Sequence, residues 1–136
     1  MKADLVLIQE HHLPARSIAT EEQWCRRNSW RAALAPALEG RSEHGTSGGV
    51  GIATPAHRAL ANFKYGQHAG PELPPGRCTI LHWPAVIKGG IAVASVYLVT
   101  AIGPTGQNTQ LLMRLAEQLR MLGRPYIVGG GLPDDA

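Results

Sequence analysis

Four consecutive apolar residues, Leu5-Val6-Leu7-Ile8, run without a break into Gln9 and Glu10. The run is too short for a helix and rich in branched side chains, the pattern of a strand covered on both faces. A chain built on such a strand has to supply packing on two sides of it. With 136 residues, 44% hydrophobic and 17% charged, it is long and apolar enough for one small domain with a core. A carboxylate on the strand's last residue is held rigidly at the end of a sheet, where an oxygen ligand for a hard cation belongs. The same local pattern also describes a strand simply leaving the core for solvent.

Thr20 followed by Glu21, Glu22 and Gln23 has capping-box spacing, which predicts a short helix from Thr20 to about Arg27. Trp30 to Leu38 reads as a strand because Pro36 would break a helix there, and Glu39 to Ser47 reads as a polar loop. Strands are expected over Gly48 to Thr54, Arg77 to Trp83 and Gly89 to Leu98, with a long loop rich in proline and glycine over Gly66 to Gly76. From Thr109 to Leu122, Leu111, Leu112, Leu115, Leu119 and Leu122 form the stripe of an amphipathic helix. Gly123 supplies its C-cap, and Pro125 prevents continuation. Tyr126 to Val128 is then a brief strand running into Gly129, Gly130 and Gly131.

No apolar run approaches the roughly 18 residues of a membrane span, and Asp4, Glu10 and two histidines interrupt the start too early for a signal peptide. The expectation is a soluble, intracellular protein, nuclear or cytoplasmic, with no membrane partner. The net charge of +3 and pI of about 9.2 suit a polyanionic partner. The densest basic spot, Arg26, Arg27 and Arg31, has the composition of a solvated helix face. Cys25 and Cys78 are isolated and lack zinc-ligand spacing, as do His44, His57, His68 and His82.

Asp4-Leu5-Val6-Leu7-Ile8-Gln9-Glu10-His11-His12-Leu13 resembles the "D-v-v-l-l-Q-E-t-h-l" block of the endonuclease/exonuclease/phosphatase family. Three further stretches agree in order. Ser47-Gly48-Gly49-Val50-Gly51-Ile52-Ala53 is similar to its "s-G-G-v-a-i" strand, and Ile91 to Leu98 to "v-v-n-v-Y-l-p". Tyr126-Ile127-Val128-Gly129-Gly130 is similar to the lead-in to "G-G-D-F-N". The family includes apurinic endonucleases, deoxyribonuclease I-like nucleases, inositol polyphosphate phosphatases and endonuclease domains of non-LTR retrotransposons. The resemblance implies an α/β fold, part of a four-layered α/β/β/α sandwich with mixed sheets, and makes residues 1–136 an incomplete domain of that kind. It implies Glu10 as ligand to Mg²⁺ or Mn²⁺ and as a catalytic residue, Tyr97 as a catalytic residue positioning the scissile phosphate, and His12, with His11 beside it, as a substrate contact.

The departures are equally specific. Where the family pattern places Asp-Phe-Asn after the two glycines, this chain has Gly131-Leu132-Pro133-Asp134-Asp135. Asp134 and Asp135 read as a frayed acidic terminus, since catalysis needs a group fixed to a fraction of an ångström. A preceding strand carrying an asparagine and a following Ser-Asp-His block are also expected by the pattern and not found. The reading is a fragment of a Mg²⁺-dependent phosphodiesterase, a DNA endonuclease of retroelement type, weakly active or inactive as given. One alternative is a catalytically dead structural or nucleic-acid-binding remnant. Another is a phosphatase-type member acting on phosphorylated small molecules or lipids. DNA is the expected partner, and a half-built sandwich calls for a covering chain.

Overall fold

The computed structural model describes residues 4–39, 46–61, 76–98 and 107–131. The fold is α/β: β1 (Val6–Gln9), α1 (Ala15–Arg27), β2 (Trp30–Ala35), β3 (Leu38–Glu39), β4 (Thr46–Ser47), β5 (Val50–Pro55), β6 (Cys78–Trp83), β7 (Ile91–Tyr97), α2 (Gln107–Leu122) and β8 (Tyr126–Gly131). One three-stranded sheet has the order β1-β5-β2 with both pairings antiparallel. The other has the order β6-β7-β8, antiparallel between β6 and β7 and parallel between β7 and β8, with α2 as the crossover. β3 and β4 form a small separate hairpin.

β7 is the most thoroughly buried strand, and its alternation separates two cores. Ala92, Ala94 and Val96 meet Leu111, Leu115 and Leu119 of α2, together with Cys78 and Ile80 of β6. Ile91 and Val93 point the other way, toward Ile52 of β5, Leu7 of β1 and Ala33 of β2, with Leu81 and Trp83 between them. The two sheets therefore pack face to face, and α2 covers the far side of the second. Thr54 is fully buried between them without cost, because its hydroxyl donates to the Asp4 carbonyl at 2.7 Å and accepts from the Trp83 indole N–H at 3.2 Å. Gly123 caps α2 as expected, at φ +63 with its N–H on the Leu119 and Arg120 carbonyls.

Several boundaries differ from the sequence reading. α1 begins at Ala15, so Thr20 is an exposed mid-helix residue and no capping box forms there. Pro14 enters at φ −72 and ψ 163, and the helix starts directly after it without a side-chain cap. Inside α1, the Glu22 carboxylate instead accepts the Leu34 backbone N–H at 2.9 Å, closing part of the open edge of β2. The stretch read as one strand from Trp30 to Leu38 is broken after Ala35, where Pro36 and Ala37 separate β2 from β3. The ends of the segment read as a loop, Glu39 to Ser47, are strand residues. Leu112 of the expected stripe is 40% exposed, because the face that α2 buries runs through Asn108, Leu111, Leu115, Gln118 and Leu119 and leaves Leu112 at its margin. Gly129 to Gly131 do not end β8 but continue it alongside Ser95 to Tyr97.

The two cysteines are free. Burial pushes the Cys78 thiol up to about 12 from an ordinary 9.0. Below pH 9 the group is neutral in both states and adds no pH dependence. Between pH 9 and 12 the unfolded chain releases its proton and the folded one does not, so stability falls as pH rises, by up to about 1.4 kcal/mol per unit from this group. Denaturation curves at pH 8 and pH 10.5 are expected to lose less stability for Cys78→Ala than for the parent across the same interval. Equal losses would place Cys78 in contact with solvent.

Candidate functional site

β1 ends at Gln9, and the chain then turns sharply: Glu10 lies at φ +56 and His12 at φ +58. Left-handed backbone costs a non-glycine residue roughly 1–2 kcal/mol, so two such residues in one short turn must be held by their surroundings. The holding contacts are visible. The N–H groups of His11 and His12 donate to the carbonyls of Gly49 and Gly48, extending the β1–β5 pairing past its regular end. The His11 ring is a structural pin. Its Nδ1 accepts the Leu13 N–H at 2.9 Å, which leaves Nε2 as the protonated nitrogen donating to the Ala35 carbonyl at 2.8 Å. Against that ring lies Gly49, where a Cβ would come within 2.4 Å of the imidazole.

Across the sheets, Gln9 Nε2 donates to the Ser95 hydroxyl at 3.0 Å, and that hydroxyl donates to the Ile8 carbonyl at 2.8 Å. The tip of β1 is thus stitched to β7 two residues before Tyr97. The Gly48-Gly49 turn completes the connection: Gly49 N–H donates to the Gly76 carbonyl at 2.8 Å, and a Cβ on Gly48 would stand 3.4 Å from the Tyr97 ring. Gly131, the last residue of β8, is the register partner of Tyr97. The ends of β1, β7 and β8 and the lead-in to β5 therefore meet at one edge of the paired sheets.

At that edge Glu10 and His12 are exposed, while Tyr97 is buried at 8%. The Arg77 guanidinium lies over the Tyr97 ring, 5.1 Å from its centroid, and the Arg77 carbonyl accepts the Tyr97 N–H at 2.7 Å. Sequence reasoning missed Arg77. Its position at the head of a strand, 20 residues before Tyr97, carries no local signal, and only the β6–β7 register brings the two together. His57 sits exposed on the turn after β5, and His82 Nε2 lies 2.8 Å from the Gly89 carbonyl, both away from this edge. His44, His68, Asp134 and Asp135 lie outside the described residues.

Mg²⁺ commonly takes one or two protein carboxylates and fills its remaining sites with water and phosphate oxygens. Among the described residues no group of three or more His, Cys, Asp or Glu side chains gathers at one point, and this edge offers the single carboxylate of Glu10. Such a donor set suits a cation shared with a substrate phosphate; it is too sparse for a closed protein cage. Gly131 contributes no oxygen from a side chain at the position where the resembling pattern has aspartate.

The strained turn has a consequence of its own sign. Glu10→Gly removes a left-handed penalty of roughly 1–2 kcal/mol and adds glycine's entropic cost of roughly 0.5–1 kcal/mol. A net gain of about 0.5 kcal/mol is expected in urea denaturation, whereas a loss above about 1 kcal/mol would mean the carboxylate itself supports the fold. Among the described residues, no helix is long and apolar enough to cross a membrane. No protein-family model, curated protein or solved structure matches the chain.

Proposed function

We propose that this chain carries part of a divalent-metal phosphodiesterase site of the endonuclease/exonuclease/phosphatase type, with DNA as the substrate class, and that it turns over little or no phosphodiester as given. Glu10 is the metal ligand, Tyr97 the residue that positions a phosphate, and His12 a substrate contact. The observation that carries this reading is the clamped left-handed turn presenting Glu10 at the edge where Tyr97 and Gly131 lie side by side. Local strain held in place by several independent contacts is characteristic of sites where geometry serves chemistry. Mg²⁺ or Mn²⁺, when bound, would stabilise charge on the phosphoryl oxygens. The chain's own contribution is to fix the backbone that carries Glu10 and to bury the Tyr97 ring at the same edge.

The weak or absent turnover follows from Gly131. Without a carboxylate there, no side chain among the described residues at this edge orients an attacking water, and positioning accounts for a large share of such a rate enhancement. That same observation favours the second reading, a nucleic-acid-binding remnant. The four-layered sandwich belongs to the proposal too: α1 against β2 and α2 behind β7 would be its outer layers. So does a covering chain, supported by β8, an edge strand on which Tyr126, Ile127 and Val128 are 57%, 43% and 42% exposed.

The test incubates the purified chain with supercoiled plasmid and Mg²⁺, in parallel with EDTA and with Glu10→Ala. Little or no nicking is expected in every arm. Metal-dependent nicking lost with Glu10→Ala would keep the site and overturn the inactivity. Metal-dependent nicking indifferent to that substitution would overturn the site.

A further inference from the structure

The outward face of α1 combines cationic, neutral polar and aromatic side chains. Its exposed residues are Ala15, Arg16, Ala19, Thr20, Gln23, Trp24, Arg26 and Arg27, with no acid among them. Arg16, Thr20, Gln23, Trp24 and Arg27 recur at three- and four-residue spacing and so form one stripe along the helix. The acids of α1, Glu21 and Glu22, are half-buried on the other side, where Glu22 binds the Leu34 N–H. Just past the helix, Ser29 accepts the Ala56 N–H and Arg31 binds the Ala56 and Arg58 carbonyls. This anchors a further exposed turn with His57 and Arg58 at the same end.

Arg26 and Arg27 in the last turn suit the negative end of the helix dipole, whereas Arg16 stands in the first turn, where the dipole disfavours a cation. Packing does not account for Trp24, which is 60% exposed although tryptophan is on average well buried.

We infer that this face is a docking surface for single-stranded nucleic acid, with Trp24 stacking on a base and Arg16 and Arg27 on flanking phosphates. The two arginines are about 16 Å apart at 1.5 Å rise per residue, room for a few nucleotides. A single strand is the occupant because stacking needs a base whose face is open, which a closed duplex does not offer. The surface lies on α1 and does not require Glu10, so it stands or falls separately from the metal site.

Anisotropy of a labelled oligothymidylate of about 12 nucleotides, a length within the usual site sizes, tests it, with oligouridylate, a duplex of equal length and phosphatidylserine vesicles as further arms. Trp24→Ala is expected to weaken single-strand binding about tenfold. Arg16→Gln with Arg27→Gln is expected to reduce the salt slope by about 1.4, at about 0.7 per phosphate released. Lys88→Gln, an equal charge removed from the exposed turn between β6 and β7, should leave both unchanged. Preference for either the DNA or the RNA strand over duplex supports the assignment. It is overturned if Trp24→Ala binds like the parent, if Lys88→Gln lowers the slope as much as one arginine does, or if only the vesicles bind. All the substituted side chains are exposed, and thermal melts of each variant check that the fold is kept.

Discussion

Gly49→Ala is expected to cost about 3 kcal/mol and to release the turn that presents Glu10. Gly49 sits at φ +91, where a side chain adds roughly 1–3 kcal/mol of strain, and its Cβ would meet the His11 ring at 2.4 Å. The ring has nowhere nearby to move without giving up its bonds to Leu13 and Ala35, worth roughly 1 kcal/mol each. Against a total stability of roughly 5–15 kcal/mol for a domain, that is a large fraction. Urea denaturation measures the loss, and the nitrogen shifts of His11 report the ring: the parent should show the Nε2-protonated tautomer, and the variant an averaged one. A variant within about 0.5 kcal/mol of the parent, with the same tautomer, would mean that His11 is not the pin of this turn.

Gly131→Asp is expected to tighten Mn²⁺ binding about tenfold, and Glu10→Gln in the same background to remove the gain. Gly131 pairs with Tyr97 at the end of β8, so an aspartate there adds a second carboxylate to the edge that holds Glu10. One or two carboxylates are the usual protein contribution to a site of this kind, so the second completes the set, and tenfold corresponds to about 1.4 kcal/mol of added binding. A strand-end substitution outside the positive-φ region carries no left-handed penalty. Paramagnetic titration of free Mn²⁺ reads the affinity without depending on turnover. An unchanged affinity, or a gain that survives Glu10→Gln, would separate the two positions and break the site in half.

The parts of this fold that were legible in the sequence are those where one short stretch decides its own fate. The apolar run to Ile8, the alternating β7 and the Gly123-Pro125 stop after α2 are local signals, and each element lies where its pattern places it, although β1 is a half-buried edge strand and not one covered on both faces. α1 was misplaced at its start because Thr20 with three polar residues after it satisfies a capping pattern that the better entry at Pro14 makes unnecessary. Three glycines at the end of β8 read as a stop, since glycine weakens a strand, but pairing with β7 along its whole length overrides that weakness. At the site, Glu10, His12 and Tyr97 were found through a family resemblance, and the structure gathers their segments at one edge without an independent match to the family. His11 changed meaning: beside an exposed His12 it looked like a second surface contact, yet its ring is committed to two backbone groups. Arg77 left no trace in the sequence because its significance lies in a contact between strands.

We propose that one edge, built from the tips of β1, β7 and β8, receives a divalent cation through Glu10. Amide spectra of the labelled chain during a Mn²⁺ titration test it most directly, since the ion broadens only the signals near it. Broadening is predicted to begin at residues 10–12, at Gly48 and Gly49, at Arg77 and Tyr97 and at Gly131, and to vanish with Glu10→Gln. Broadening that starts instead at Glu117 or Asp4, or that persists unchanged in Glu10→Gln, would contradict the account.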